Sequence, residues 1–252
     1  MAIAQGRLIE TTIFVGIAVL ALYVIIRGKP ERFRRLEAVE AMDGMIDRCV
    51  ELGRPYYFSP GDQALSGENA PMTIAGLNVL RYLARKCFGK DVKILAHTNQ
   101  AQLMTLMDGI IREGAIAAGK PEKYSSDQLR YLGGGTAAVI ADMRRQKIGC
   151  YTAVGGFGGQ QCYTELEEAH RAGAVVIGGT ARYYHNGNFA IHADYPMFME
   201  DIYAAAADVS GDPRVQSGLV SGDAIKLIIL VALIVFSILG ALGLPVLQWL
   251  SV

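Results

Sequence analysis

Two uncharged apolar runs, one at each end of a 252-residue chain, set the first constraint on how it folds. Residues 11–26, TTIFVGIAVLALYVII, carry no charge and stop at Arg27; extended back to Leu8 the run reaches 19 residues, with Glu10 at its outer boundary. Residues 227–247, LIILVALIVFSILGALGLPVL, are 21 uncharged residues bracketed by Lys226 and a short QWLSV end. About 20 helical residues cross the hydrocarbon core of a bilayer, so both runs are expected to span a membrane. Trp249 then serves as an interfacial anchor, and Pro245 falls near the helix end, where a lost backbone bond costs least. A cleaved signal peptide has a basic segment before its apolar core and a small-residue cleavage site after it. Here only Arg7 precedes the core and RGKPERFRR follows it, the pattern of an uncleaved anchor.

Basic residues set the expected orientation. Arg27, Lys29, Arg32, Arg34 and Arg35 crowd one flank of the first run against a lone Arg7 on the other. The positive-inside rule places the segment between the runs in the cytoplasm and both termini outside. The expected order is an external tail (1–10), a span (11–26), a cytoplasmic domain (27–222), a second span (227–247) and an external end (248–252). Neither span carries an acid, base or histidine of the kind ion pathways use, which puts an oligomeric pore behind other readings.

Charge excludes one class of partner. Lys+Arg and Asp+Glu balance at 24 each, and no basic stripe with interleaved aromatics occurs, so nucleic-acid binding is not expected. Cys49, Cys87, Cys150 and Cys162 form no CxxC pair and have no histidine at zinc-finger spacing; buried free thiols in a reducing compartment are expected, and no metal.

The segment between the spans alternates helix and strand patterns. After a helix ending at Gly53, strands are predicted at PYYFSPGD, VKILAHT, KIGCYTAV, AVVIGGTARYY and NFAIHADY, with a short one at QLRYL. Helices are predicted over 71–88, over 99–118 with an Asn N-cap, at TAAVIADMRRQ, GGQQCYTELEEAHRAG and PMFMEDIYAAAADVS. GDPRVQSGLVSGD is expected to be a connection. This alternation predicts an α/β fold: an open, mostly parallel, doubly wound (Rossmann-like) sheet of about five strands.

Candidate chemistry sits where strands end. Ser59 and Asp62, His97 and Asn99, Gly156, Gly158, Gly159 and Gln160, and Gly179 and Thr180 all fall at such junctions. Open α/β sheets bind ligands outside the carboxyl ends of their strands. A glycine-rich turn entering a helix presents backbone N–H groups to an anion, so a small phosphorylated ligand or nucleotide is one expectation. GGFGGQ matches neither GxGxxG nor GxxxxGK[ST], however, and short βα loops use glycine for backbone angles alone. His192 and Asp194 are predicted to share a strand face, after His185, without requiring a metal. The run Glu165–Glu167–Glu168 is predicted to be a solvated helix face. With no GxSxG elbow and no paired metal motif, the sequence leans away from an enzyme and leaves any cofactor unknown.

The segments TIAGLNVLRYLAR, IIREG, AGKPEKY, DQLRYLGGG, GAVVIGGTARYY and EDIYAAAA together resemble an uncharacterised family of bacterial and archaeal membrane proteins. In that family a domain of unknown function is flanked by two transmembrane helices. The resemblance implies the same architecture and no activity. The leading expectation is therefore a membrane-anchored α/β domain that forms a homo-oligomer or scaffolds partners. A nucleotide- or phospho-ligand-binding enzyme or sensor is the alternative.

Overall fold

The computed structural model describes residues 8–27, 36–133, 135–159 and 161–242. The expected basic flank from Lys29 to Arg35, Gln160, and the end with Pro245 and Trp249 lie outside these residues. The chain divides into two compact units, residues 33–210 and the two ends, 1–32 with 211–252.

In the unit formed by the ends, α1 (Leu8–Arg27) packs against α9 (Pro213–Ala241). Among the described residues α9 is the one helix long and apolar enough to cross a membrane, with a mean hydropathy of 2.7 over its best window. It begins at Pro213, well before the expected start at Leu227, so GDPRVQSGLVSGD is helical from Pro213 onward and not a connection. The reason is local: Asp212 accepts a 2.8 Å hydrogen bond from the Arg214 N–H, and Pro213 occupies the first turn, where its missing donor costs nothing.

The unit from 33 to 210 runs α2 (Glu37–Leu52), β1 (Tyr56–Gly61), α3 (Ala70–Gly89), β2 (Ile94–Thr98), α4 (Ala101–Ala117), β3 (Leu129–Tyr131), α5 (Thr136–Gln146), β4 (Cys150–Gly156), α6 (Gln161–Arg171), β5 (Val175–Thr180), α7 (Asn186–His192), β6 (Tyr195–Phe198) and α8 (Asp201–Ser210). Its sheet has six strands, all parallel, in the order β3-β2-β1-β4-β5-β6. The order reverses between β1 and β4. That reversal is the switch point of a doubly wound sheet.

Side chains alternate across the strands and feed two cores. Tyr56, Phe58, Ile94, Ala96, Cys150 and Val154 join Met42 and Ile46 of α2, Leu80 and Leu83 of α3, Met107 and Ile111 of α4, and Ile202 of α8. Tyr57, Leu95, Tyr151 and Val176 join Val139 and Met143 of α5, Cys162, Leu166 and Ala169 of α6, and Phe189 of α7. All four cysteines are free and buried.

Three local expectations are corrected. NFAIHADY is not a strand: its first part forms α7, because Phe189 is fully buried while Ile191 is exposed, a helical rather than a period-two pattern. Pro196–Phe198, expected in a helix, belong to the edge strand β6, where a proline is tolerated; α8 starts only at Asp201, whose carboxylate accepts from the Phe198 N–H at 3.0 Å. The N-cap of α4 is Gln100 instead of Asn99, and no side chain caps it.

Candidate functional site

Strand periodicity builds the floor of a cleft. Tyr57 and Ser59 of β1 point to the face covered by α5 and α6, as do Leu95 and His97 of β2 and Tyr151 of β4. Tyr57 lies in register with both Leu95 and Tyr151. At the carboxyl ends of β1 and β2 these residues open into a narrow cleft, about 310 Å³ with the solvent at its mouth included and little of it wide enough for a water-sized sphere. Ser59, Asp62, His97 and Asn99 line it, with Phe157 after β4, Gly135 and Val139 of the α5 start, and Glu165 of α6.

The rim is laced together. Asp62 Oδ1 accepts from the Gly158 N–H at 2.6 Å and from Gln63 Nε2 at 2.8 Å, tying the β1 loop to the β4 loop. The Asp62 carbonyl accepts from Gln100 Nε2 at 2.8 Å, tying it to the β2 loop as well. The glycines permit this approach. A Cβ on Gly61, at φ +90°, would stand 2.0 Å from the Gly156 carbonyl oxygen, and one on Gly155, at φ +150°, 2.0 Å from that of Pro60. One backbone donor of the glycine-rich turn is thus already satisfied by the protein's own carboxylate.

Beneath the rim lie buried ionisable groups. Tyr151 Oη donates to Glu165 Oε2 at 2.7 Å. The same oxygen stands 3.8 Å from His97 Nε2, too far for a hydrogen bond. His97 and Glu165 are each only 5% exposed. The His97 ring packs on that of Tyr57 with centroids 5.4 Å apart. The Tyr57 hydroxyl donates to Asp142 Oδ2 at 2.9 Å, and Asp142 Oδ1 takes Arg130 at 2.8 Å and Arg145 at 2.6 Å. These arginines spend their charge on Asp142.

Burial controls protonation here. It pushes the Glu165 carboxyl up to about 7, opposed by the Tyr151 hydrogen bond and helped by the nearby Asp62 charge. It pushes the His97 imidazole down to about 4, against the pull of Asp142. The ordinary order of the two groups is inverted, so just below neutral pH the cleft holds a neutral acid beside a neutral base. Environments that drive two such groups apart are how one site supplies both a proton donor and a proton acceptor.

His97 Nδ1 and Asn99 Oδ1 are buried and have no hydrogen-bond partner among the described residues. Both residues line the cleft.

The structure brings Ser59, Asp62, His97 and Asn99 together. Gly156 and Gly158 pack on the Gln63 side chain, and a Cβ on Gly159 would lie 3.9 Å from Asp62 Oδ2. Gly179 and Thr180 serve the other face: Gly179 lies under Met197 and Ile202, and Thr180 Oγ1 donates to Met72 Sδ at 3.9 Å. His185 Nδ1 meets Tyr163 Oη at 3.1 Å, and His192 Nδ1 lies 3.5 Å from Glu167, while Asp194 accepts from the Val176 N–H at 2.8 Å. Among the described residues no cluster of three or more metal-type ligands forms.

Glu165 is the residue that sequence reading missed. The acidic run is not one solvated face. Glu165 and Glu168 are buried, the latter held by Arg144 at 2.6 and 2.7 Å, and only Glu167 keeps to the surface. The signal was present in the spacing, since Glu165 follows Cys162 by three and precedes Ala169 by four, on the apolar stripe of α6.

Residues 3–249 match a family defined by a domain of unknown function, DUF6754, and the chain belongs to that family. No curated protein and no solved structure matches the chain.

Proposed function

We propose that this member of DUF6754 is a membrane-anchored domain that binds a small polar molecule in the cleft at the carboxyl edge of its sheet. One observation carries the reading: His97, almost wholly buried beside Glu165, lines that cleft with its Nδ1 unpartnered among the described residues. A buried polar atom left unpaired costs about 1–3 kcal/mol, and a ligand group that completes it recovers that cost. The position agrees with the rule that doubly wound sheets bind ligands where the strand order reverses. The inverted acid–base pair equips the cleft for proton transfer to a bound molecule.

The anchoring part adds α1 as a second span to α9, the one helix long and apolar enough to cross a membrane among the described residues. The uncharged run 11–26 supports a second span, and the basic residues after it support a cytoplasmic domain with both termini outside. Cysteines placed singly at position 3 and at the exposed Glu122 test this: an impermeant maleimide added to intact cells should label the first and spare the second. The reverse pattern refutes the topology.

A thermal-shift panel on the full-length chain in nanodiscs tests ligand binding. The expected result is a ligand that raises the unfolding temperature of the wild type but not of His97→Leu. Stabilisation that is equal in both places the ligand elsewhere.

Self-association is a second reading, favoured by the exposed apolar surface of Tyr183, Tyr184 and Ile191 beside α7. Native mass spectrometry of the detergent-solubilised chain tests it, and a monomer at working concentration removes it.

A further inference from the structure

The charge and hydrogen-bonding capacity of the cleft specify what kind of molecule it takes, an inference that rests on the ligand-site reading above. Tautomer assignment comes first. Glu165 Oε2 accepts the Tyr151 phenol proton at 2.7 Å, so when the carboxyl is neutral its own proton sits on Oε1. Oε2 is then an acceptor, and it faces His97 Nε2 at 3.8 Å. We assign the imidazole hydrogen to Nε2 because an acceptor oxygen stands on that side, an electrostatic preference at 3.8 Å and not a hydrogen bond; this leaves Nδ1 a bare acceptor. Asn99 Oδ1 is a second buried acceptor lacking a partner among the described residues. The Asp62 carboxylate is the third, with the lone pairs of Oδ1 partly used by Gly158 and Gln63.

Against these stand weaker, neutral donors, the Asn99 amide N–H groups and the Ser59 hydroxyl. Among the described residues no lysine or arginine lines the cleft. Arg130, the register partner of His97, gives its Nη1 to Asp142 and lies outside the cleft lining, although its Nε is a buried donor without a partner among the described residues. Arg182, beyond β5, is turned to Asn69 and Tyr184. The start of α5 contributes uncapped N–H groups, but a helix N-terminus is worth about half an elementary charge against the full charge of Asp62. A fully ionised phosphate ester, negatively charged and with acceptor oxygens only, meets a described lining whose one charged group is the Asp62 carboxylate and whose unpartnered atoms are acceptors.

We propose that the ligand of this cleft is a donor-rich, non-phosphorylated small molecule, neutral or cationic, whose O–H or N–H groups are received by His97 Nδ1, Asn99 Oδ1 and the Asp62 carboxylate. Hydroxyl-bearing and amino- or guanidino-bearing compounds fit this description. Phosphate esters do not. The acid proton on Glu165 Oε1 offers one complementary donor, which a hydroxyl oxygen or carbonyl of the same ligand accepts.

The test uses the full-length chain in nanodiscs with ¹⁵N-labelled histidine. The four histidines are assigned by single substitutions. Methylguanidinium, glycerol and dimethyl phosphate are titrated separately at pH 6 and constant ionic strength, where Glu165 keeps its proton, and the His97 ring nitrogens are followed. The expected result is a saturable shift of His97 Nδ1 with methylguanidinium or glycerol, none with dimethyl phosphate, and at least a tenfold weaker response to the donors in Asn99→Leu. The unfolding temperature of that variant is measured alongside, so that misfolding is not mistaken for lost binding. A saturable shift with dimethyl phosphate alone overturns the donor-rich assignment while leaving the ligand site standing. Silence of His97 toward all three probes overturns both.

Discussion

Replacing Glu165 by Gln should stabilise the protein at high pH and leave it unchanged at low pH. The carboxyl is held neutral in the fold up to about 7, whereas in the unfolded chain it ionises at its ordinary 4.5. Below pH 4.5 both states carry the proton and the group contributes nothing. As pH rises from 4.5 toward 7 the unfolded state gives up its proton first and is favoured by doing so. Above 7 the folded state carries the full cost of a buried carboxylate. The interval from 4.5 to about 7 corresponds to about 3 kcal/mol. Gln removes that cost while its amide oxygen still accepts from Tyr151. For a unit of this size, about 3 kcal/mol moves the unfolding temperature by roughly 6–12 °C. Differential scanning fluorimetry of the full-length wild type and variant from pH 4.5 to 8.5 should show a gain that is absent at the acid end and complete by about pH 8. A gain of equal size at both ends, or a loss at pH 8.5, refutes the picture of a buried, neutral Glu165.

His97 has the opposite sign: its folded value of about 4 lies below the ordinary 6.5, so its contribution is full above pH 6.5 and drains away as pH falls toward 4; His97→Leu should therefore flatten the acid limb of stability measured by denaturant titration. Asp142→Ala strands the Tyr57 hydroxyl and the Arg130 guanidinium, and should cost about 3–5 kcal/mol in denaturant unfolding; a cost under about 1 kcal/mol contradicts the network. Gly61→Ala places a methyl group against the Gly156 carbonyl oxygen at positive φ, and should lower the yield of folded protein and lose at least about 2 kcal/mol, read by the same titration.

Much of the fold was legible in the sequence. Period-two and continuous apolar runs marked β1, β2, β4 and β5 because those strands are buried on both faces, and Gly53 marked the end of α2 by its αL angle. The misreadings have one physical origin, a short apolar segment whose partner decides its state. Phe189 to His192 could alternate as a strand, but Phe189 closes against Gly178 and the segment winds into α7. Pro196 argued for a helix start until β5 supplied an edge to pair with. The α9 start was hidden because hydropathy marks the apolar stretch, whereas the helix is launched earlier by the Asp212–Pro213 cap. Within the candidate site, Ser59, Asp62, His97 and Asn99 were visible as polar residues at strand ends. Glu165 was marked only by its spacing on the apolar stripe of α6, a signal outweighed by the acidic run around it, which reads as solvated until the tertiary fold turns this carboxyl inward against Tyr151.

The most direct measurement is the pH titration of the four histidine rings by ¹⁵N spectroscopy in the full-length chain, without added ligand. The central claim, a cleft built around a buried neutral base whose Nδ1 stands ready to accept, predicts that His97 keeps a bare Nδ1 and a protonated Nε2 from pH 8 to about pH 5 and takes up a second proton only near 4. A His97 that titrates near 6.5, or one that carries its hydrogen on Nδ1 across this range, contradicts it.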